Sequence, residues 1–376
     1  MTLIIILLFF FYLIFVGLLT LGWHKSAGRQ VLPDYDEGPL LSIVIPVRNE
    51  QAGIRHLLED IRDQSYQNFE VIVVNDHSRD NTADIVLDFT PQDPRFRFLA
   101  SRGEGKKAAL TTGINASRGE IIVTTDGDCR VNVDWLKAVQ KYFQNPDTKM
   151  VFGAVKLEGS SFFSVLQSHE FLSLVGTGAA TMWYGVPSMC NGANLAFRKS
   201  IFFEVGGYAN NLHIPSGDDE FLMRKIFQLY PKGIYFLWDS KGVVKTKASM
   251  DLKEFVHQRV RWAGKWKHNV SSTNAILAIF IFCFQISVIL LAVGLAMGWI
   301  GIGLGASLFF LKLIVDGIFL RKIADFVKAP WKWPAFVFLQ IFYPIYAVAI
   351  ALISSFGTFE WKGRKLKSVG FSTVNK

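Results

Sequence analysis

The 376-residue chain has only three cysteines, Cys129, Cys190 and Cys283, too few and too scattered for a disulfide framework or a zinc site. It lacks a Gly-x-Gly-x-x-Gly turn and a Walker loop, which argues against a dinucleotide oxidoreductase and an ordinary phosphate-loop enzyme. No internal repeat or low-complexity tract is present. Charge is absent from Leu3 to Leu21, and Ala275 to Phe356 is dominated by Leu, Ile, Phe, Val, Ala and Gly. The net charge of +9 comes without a nucleic-acid recognition motif. Much of it flanks the apolar segments, where it suits anionic headgroups, so no nucleic-acid partner is expected.

What is present is an apolar fraction of 51%, more than a soluble enzyme of this length needs. Its uneven distribution predicts a soluble domain between membrane segments. The first segment is long enough to cross a hydrocarbon core of about 30 Å. Without a basic n-region or a small-residue cleavage site, it reads as a retained anchor over residues 1–24. Lys25 and Arg29 follow it, and Arg259, Arg261, Lys265 and Lys267 precede the next apolar block. The positive-inside tendency therefore predicts a multi-pass cell-membrane protein with its intervening domain, residues 38–250, in the cytoplasm.

Residues 251–270 mix Phe255, Val256, Val260, Trp262 and Trp266 with basic residues and histidines, a composition for an amphipathic helix at headgroup level. A transmembrane region over 275–356 reads as spans near Ile276–Met297, Ile300–Leu320 and Ala335–Phe356, the middle one interrupted by Lys312 and Asp316. Four full crossings would put the basic tail, 357–376 with Lys362, Arg364, Lys365 and Lys367, on the far side, against the positive-inside tendency. One apolar segment is therefore expected to be interfacial or re-entrant.

Between the membrane segments, strands and helices alternate. Leu41–Pro46, Phe69–Val74, Phe96–Ala100 and Ile121–Thr125 read as strands; Glu50–Gln64, Asn81–Phe89 and Lys106–Ala116 read as helices. This predicts an α/β domain with a parallel sheet whose ligands lie outside the carboxyl ends of the strands. From Asp134 the alternation weakens to a helix at Trp135–Phe143, a strand at Met150–Lys156 and longer irregular stretches, taken as the acceptor-binding half.

The strongest local signal is Thr124-Thr125-Asp126-Gly127-Asp128, two carboxylates one residue apart after an apolar strand. Carboxylates there can share Mg²⁺ or Mn²⁺ with a diphosphate, whereas Asp-Gly-Asp alone is also an ordinary turn. Asn75-Asp76-His77-Ser78 closes the second strand, where Asp76 can accept hydrogen bonds from a base or ribose, or cap the next helix. Ser216-Gly217-Asp218-Asp219-Glu220 opens an apolar-periodic segment. Three acids there suit a helix dipole, and their repulsion can raise one pKa toward a general base. Gln258-Arg259-Val260-Arg261-Trp262 can fork an arginine onto a diphosphate while an indole closes over a sugar, or serve as an interfacial anchor.

In this order the motifs resemble those of the family 2 glycosyltransferases, inverting enzymes of GT-A fold that include cellulose, chitin, hyaluronan and poly-N-acetylglucosamine synthases. The resemblance covers roughly Leu41 to Trp262 and includes Pro46 to Glu50, Lys106 to Leu110, Asn191-Gly192-Ala193-Asn194 and Gly206-Gly207-Tyr208. It implies that Asp126 and Asp128 hold a divalent metal, Mg²⁺ or Mn²⁺, and that Asp219, with Asp218 beside it, is the catalytic base. The family's base motif usually reads Thr-Glu-Asp where this chain has Gly217-Asp218-Asp219. By the same resemblance Asp76 binds uridine, and Pro46, Asn49, Glu50, Lys106, Asp126, Gln258, Arg261 and Trp262 contact the nucleotide sugar. Asn191, Gly192, Asn194 and Trp262 face the acceptor.

The implied activity moves a sugar from a nucleotide-diphosphate sugar, a UDP-sugar by preference, to a growing polysaccharide or oligosaccharide at the bilayer. Non-processive transfer of one or a few sugars to a lipid is the alternative, favoured by the small membrane part. Secretion or accessory subunits are compatible partners. A rival of another class is a nucleotide-binding membrane scaffold or transporter, suggested by Lys312 and Asp316 within an apolar stretch.

Overall fold

A computed structural model describes residues 1–27, 37–209, 214, 217–264, 272–356, 358–361 and 364–367. The chain divides into two compact units. Ser26–Glu158 with Thr181–Ala248 form the first; Met1–Lys25, Gly159–Ala180 and Ser249–Lys376 form the second. Residues 159–180, expected inside a single domain 38–250, thus group with the apolar helices.

In chain order the elements are α1 (Thr2–Ala27), β1 (Leu41–Val47), α2 (Ile54–Arg62), β2 (Phe69–Asn75), α3 (Thr82–Phe89), β3 (Phe96–Ala100), α4 (Lys106–Ala116), β4 (Ile121–Thr124) and α5 (Trp135–Phe143). Next come β5 (Met150–Phe152), β6 (Val155–Glu158), α6 (Phe162–Trp183), β7 (Leu195–Arg198), α7 (Lys199–Glu204), α8 (Asp218–Leu229), β8 (Ile234–Phe236) and β9 (Val244–Lys247). The last are α9 (Leu252–Gly264), α10 (Ser272–Ala296), α11 (Ile302–Phe326), α12 (Trp333–Phe356) and the hairpin strands β10 (Thr358–Trp361) and β11 (Arg364–Lys367).

The first unit is built on a seven-stranded sheet of order β3-β2-β1-β4-β7-β5-β8. Its central strands are buried along their length because helices cover both faces, which is why β1 and β2 read as unbroken apolar runs. On α2, Ile54, Leu57, Leu58 and Ile61 recur at helical spacing and all four are fully buried, each contributing roughly 1.5–3 kcal/mol. Pro46 can sit in the buried β1 because β4 pairs with that strand only as far as Val44↔Thr124, leaving Pro46 paired with Val74 alone.

Strand direction gathers the motifs. β1, β2 and β4 are parallel, so Arg48 to Glu50, Asp76 and Asp126 all leave the sheet at one edge. β7 runs antiparallel to β4 with Leu195 opposite Thr124, so the segment before β7, Asn191 to Asn194, arrives at that same edge.

Two expectations are corrected here. The strand expected over Met150–Lys156 is two strands in different sheets, β5 in the large sheet and β6 paired with β9. The break falls at Gly153, where a Cβ would stand 2.2 Å from Asn194 Nδ2. The irregular stretch expected after it contains α6, a helix of 22 residues. Apolar, hydroxyl and glycine residues are mixed around α6, so no one-sided stripe marks it.

In the second unit α1, α10, α11 and α12 are each long and apolar enough to cross a membrane, as a multi-pass protein requires. The two charges in the middle of α11, Lys312 and Asp316, are an internal ion pair: Lys312 Nζ lies 2.8 Å from Asp316 Oδ2 and also contacts Gln340 Oε1 on α12. Tyr12 of α1 donates to Asp316 Oδ1 at 2.9 Å, so the pair ties three helices together. The hairpin strand β10 packs against α9. The chain thus returns after α12 to the helix it left before α10. Arg29, Lys265, Trp266, Lys267 and Lys362 lie outside the described residues.

Candidate active site

The site begins with the turns that close β1 and β2. Buried Arg48 donates Nη1 to the carbonyls of Asp76 at 2.7 Å and His77 at 3.0 Å, locking the two turns together. Asn49 and His77 hold left-handed backbones, φ 52° and 56°, a strained geometry that side-chain and backbone bonds across the turns stabilise. Ser78 Oγ accepts from the Asn49 N–H at 3.1 Å, and Asn49 Oδ1 accepts from the Arg79 N–H at 2.9 Å. The Glu50 N–H donates to Thr82 Oγ1 at 2.7 Å. Asp76 is 2% exposed, and its Oδ1 accepts from the Gly105 N–H at 3.0 Å and contacts His77 Nδ1 at 3.2 Å. This carboxylate therefore joins the end of β2 to the start of α4.

Lys106, the first residue of α4, draws the acids together. Its Nζ lies 2.6 Å from Asp126 Oδ1 and 3.6 Å from Asp218 Oδ2. Burial opposes the Lys106 charge, but Asp126, then Asp218, outweigh it and hold the pKa above the ordinary lysine value. Burial pushes Asp218 above the usual aspartate value, Lys106 pulls it back, and Asp219 and Asp126 raise it. Asp219 Oδ2 accepts from the Gly192 N–H at 3.0 Å. Thr124 Oγ1 donates to the Gly192 carbonyl at 2.7 Å, so strand β4 and the start of α8 grip one residue from both sides.

Glycine is required at two of these positions by close approach. A Cβ on Gly192 would stand 3.0 Å from Asp218 Oδ2, and one on Gly127 would stand 3.0 Å from both Glu50 Cγ and Val47 Cγ1. The Asp126-Gly127-Asp128 turn is thereby pressed onto the end of β1.

Asp128 faces outward, its Oδ2 accepting from Thr246 Oγ1 of β9 at 3.2 Å. The next residue but one, Arg130, forks onto Asp60 of α2 at 2.6 and 2.7 Å, fixing the far side of the turn. Cys129 between them is no nucleophile: burial, Asp128 and Asp126 push its thiol well above the ordinary value. Among the described residues no three His, Cys, Asp or Glu side chains converge as a metal site. Two carboxylates are nonetheless a sufficient protein contribution for Mg²⁺ or Mn²⁺ when phosphates and water complete the shell. The donor set fits a cation that shares a diphosphate.

The structure therefore brings together Asn49, Glu50, Asp76, Lys106, Asp126, Asp128, Asn191, Gly192, Asp218 and Asp219 at one sheet edge. Two expected site residues face inward. Pro46 is buried within β1. Asn194 is 2% exposed, with Oδ1 accepting from Trp135 Nε1 at 3.1 Å and Nδ2 donating to the carbonyls of Ala154 and Gly242 at 2.8 Å each. Its amide braces the floor under Gly192. Ser216 lies outside the described residues.

Gln258, Arg261 and Trp262 belong to the other unit, on α9. There the buried arginine is Arg259. Its Nε donates to Glu170 of α6 at 3.1 and 3.2 Å, and its guanidinium stacks 4.4 Å from the Trp262 ring. Sequence reasoning missed Glu170 and Thr246, and it included Arg48 in the Pro46 to Glu50 turn without giving it a role of its own. The one available signal was Glu170, the single acid between Glu158 and Glu204.

Comparison with known proteins follows the same lines. Residues 42–206 match the family profile "Glycosyl transferase family 2". Glycosyltransferase GlyA of Streptococcus pneumoniae is 23% identical over 238 residues, 61% of this chain and 32% of that protein. The poly-beta-1,6-N-acetyl-D-glucosamine synthase of Staphylococcus epidermidis is 26% identical over 255 residues, 64% of this chain and 56% of the synthase. The chain thus spans less than two thirds of either relative's length. The mannosyltransferase PcManGT from Pyrobaculum calidifontis, solved in complex with GDP-Man and Mn²⁺, aligns with a TM-score of 0.54 at 19% identity, covering 90% of this chain and 94% of that one. At that identity the likeness is one of fold. Residues 42–206 are thus similar to glycosyl transferase family 2, in an α/β unit of GT-A-like fold, and the same chain carries long apolar helices.

Proposed function

We propose that the chain is an inverting glycosyltransferase that takes a sugar from a nucleoside-diphosphate donor, a UDP-sugar by preference, and adds it to a glycan or lipid acceptor at a membrane. The observation that carries this reading is the convergence of Asp126 and Asp218 on Lys106 while the neighbouring Asp219 holds Gly192. Opposed carboxylate groups on one small site suit a reaction in which one pair faces a diphosphate and the other an attacking hydroxyl.

In this reading Asp219 accepts the proton of the acceptor hydroxyl as that oxygen attacks the anomeric carbon in line, and Asp218 shapes its field. Asp76 orients the nucleoside, with Asn49 and Glu50 on the turn beside it. Asp126 and Asp128 would hold a divalent cation, whose chemistry is to neutralise charge gathering on the departing diphosphate. Lys106 adds positive charge at the same place. Asn191 and Gly192 border the acceptor. The catalytic unit then works in the cytoplasm, where nucleotide sugars are made.

A polymerising or oligosaccharide-extending enzyme is the preferred form, supported by the Gln-x-x-Arg-Trp segment and by likeness to a polysaccharide synthase. The test is to incubate purified protein with a panel of nucleotide sugars and sized acceptors, with EDTA or Mn²⁺. Metal-dependent nucleoside-diphosphate release with an extended glycan product supports the proposal. A discrete lipid-soluble product points to single-sugar transfer, and no release from any donor revives a nucleotide-binding scaffold.

A further inference from the structure

The cation site rests on two carboxylates, and one of them already has a cation on it. Lys106 Nζ sits 2.6 Å from Asp126 Oδ1, the distance of a strong charge-assisted contact, and a full ångström closer than to Asp218. The lysine side chain is 20% exposed and that of Asp126 35%, so the pair is partly shielded from bulk water and its attraction is screened less than that of a fully exposed pair. A divalent ion bound to Asp126 at ordinary distances would stand within a few ångströms of the ammonium. Repulsion between a double and a single positive charge at that separation far exceeds thermal energy. The partner carboxylate, Asp128, is exposed and accepts one hydroxyl hydrogen bond, so it offers little by itself. Among the described residues no third ligating side chain strengthens the pair.

Lys106 can leave without dismantling the fold. It is the first residue of α4, its charge is carried on a flexible four-carbon stem, and the start of the helix is held independently by the Gly105 N–H on Asp76. A diphosphate would give the ammonium another anion and give the metal the oxygens it lacks.

We infer that Lys106 acts as a gate on the metal site, occupying Asp126 until a nucleoside diphosphate arrives and thereby making cation binding conditional on donor binding. This rests on the proposed donor chemistry. It goes further in ordering the events: the carboxylate pair takes its cation only together with the diphosphate, which spares the free enzyme from holding metal idly.

The experiment is a titration of Mn²⁺ into purified full-length protein, followed by the electron paramagnetic resonance signal of free Mn²⁺, with and without UDP. Wild-type protein should bind Mn²⁺ about tenfold or more tightly with UDP than without it. In K106Q, Mn²⁺ binding without UDP should tighten by about tenfold or more, while K106R stays at the wild-type level. K245Q removes a nearby exposed lysine whose Nζ faces Glu158 and measures the effect of the general field. K106Q no tighter than wild type, or K245Q tightening as much as K106Q, overturns the gate. So does wild-type protein that binds Mn²⁺ equally with and without UDP, an arm that needs no variant. Absence of Mn²⁺ binding in every protein even with UDP overturns the gate and the donor reading together, whereas a failure confined to the variants leaves the donor reading standing.

Discussion

The backbone N–H of Gly192 donates to Asp219 Oδ2 at 3.0 Å, so the loop before β7 and the start of α8 are one construction. The general base of the proposed reaction is thus aimed by a peptide group. Asp219→Asn keeps the hydrogen-bond acceptor but removes the base. Turnover should fall by about 10²- to 10⁴-fold with the melting temperature near that of wild type. Steady-state kinetics on the purified variant check this; wild-type turnover in a folded Asp219→Asn protein would reassign the base.

Gly192→Ala tests the same contact from the other side. The added methyl would meet Asp218 Oδ2 at 3.0 Å and Lys106 Nζ at 3.5 Å, so the acids must shift by a few tenths of an ångström. Displacements on that scale in a positioned site cost on the order of tenfold to a hundredfold in kcat. Thermal melting alongside kinetics separates this from a folding defect, which would lower both.

A pH-dependent stability is expected from Glu70, far from the proposed chemistry. Burial alone would raise its pKa, but bonds from the Arg118 backbone, Ser42 and the Arg118 side chain hold it below the ordinary glutamate value. Ser42 Oγ donates to it at 2.7 Å, and Arg97 Nη1 lies 3.2 Å away. A depressed folded-state pKa contributes stability that is present above the unfolded value of 4.5 and is lost as pH falls through the lower folded value. Denaturant melts between pH 6 and pH 3 should show this loss. Glu70→Gln should cost about 1–3 kcal/mol at neutral pH and flatten the slope, and an unchanged slope would show that other groups carry it.

In the second unit, Glu170→Ala should be among the most damaging single changes. It leaves the Arg259 guanidinium, 4% exposed, without its carboxylate, and stranding a buried charge costs about 3–5 kcal/mol. Replacing both residues by methionine should cost less than Glu170→Ala alone. Thermal unfolding in detergent tests this, and a double variant less stable than the single would contradict it.

The packing of β10 against α9 makes a prediction about topology. A cysteine placed at Lys253 and one placed at the carboxyl terminus should react alike with a membrane-impermeant reagent in sealed vesicles. Opposite accessibility would mean that α10, α11 and α12 all cross completely.

What could be read from sequence was whatever local pattern controls. Helix α4 begins and ends at the expected Lys106 and Ala116, and the three leading strands fall within a residue of their expected ends, because apolar runs and turn residues there have one solution. That Asp126 and Asp219 share a site was legible only from the order of the motifs. The contacts that unite them depend on β7 running antiparallel, a matter of pairing rather than of local sequence. Helix α6 escaped because its surroundings, not an amphipathic stripe, make it helical. Asn194 was misjudged in direction: an asparagine beside a site can as well satisfy buried carbonyls as meet a ligand, and Trp135, Ala154 and Gly242 consume its amide. Lys312 and Asp316 proved to be an internal pair four residues apart, bonded to neighbouring helices.

The account depends on Asp126 and Asp128 sharing one cation with a diphosphate. Pulsed electron–nuclear double resonance on Mn²⁺ with bound UDP measures this directly through ³¹P coupling. The predicted result is a ³¹P coupling in wild-type protein that disappears in both Asp126→Asn and Asp128→Asn. A coupling that survives unchanged in the two variants would place the cation elsewhere and contradict the account.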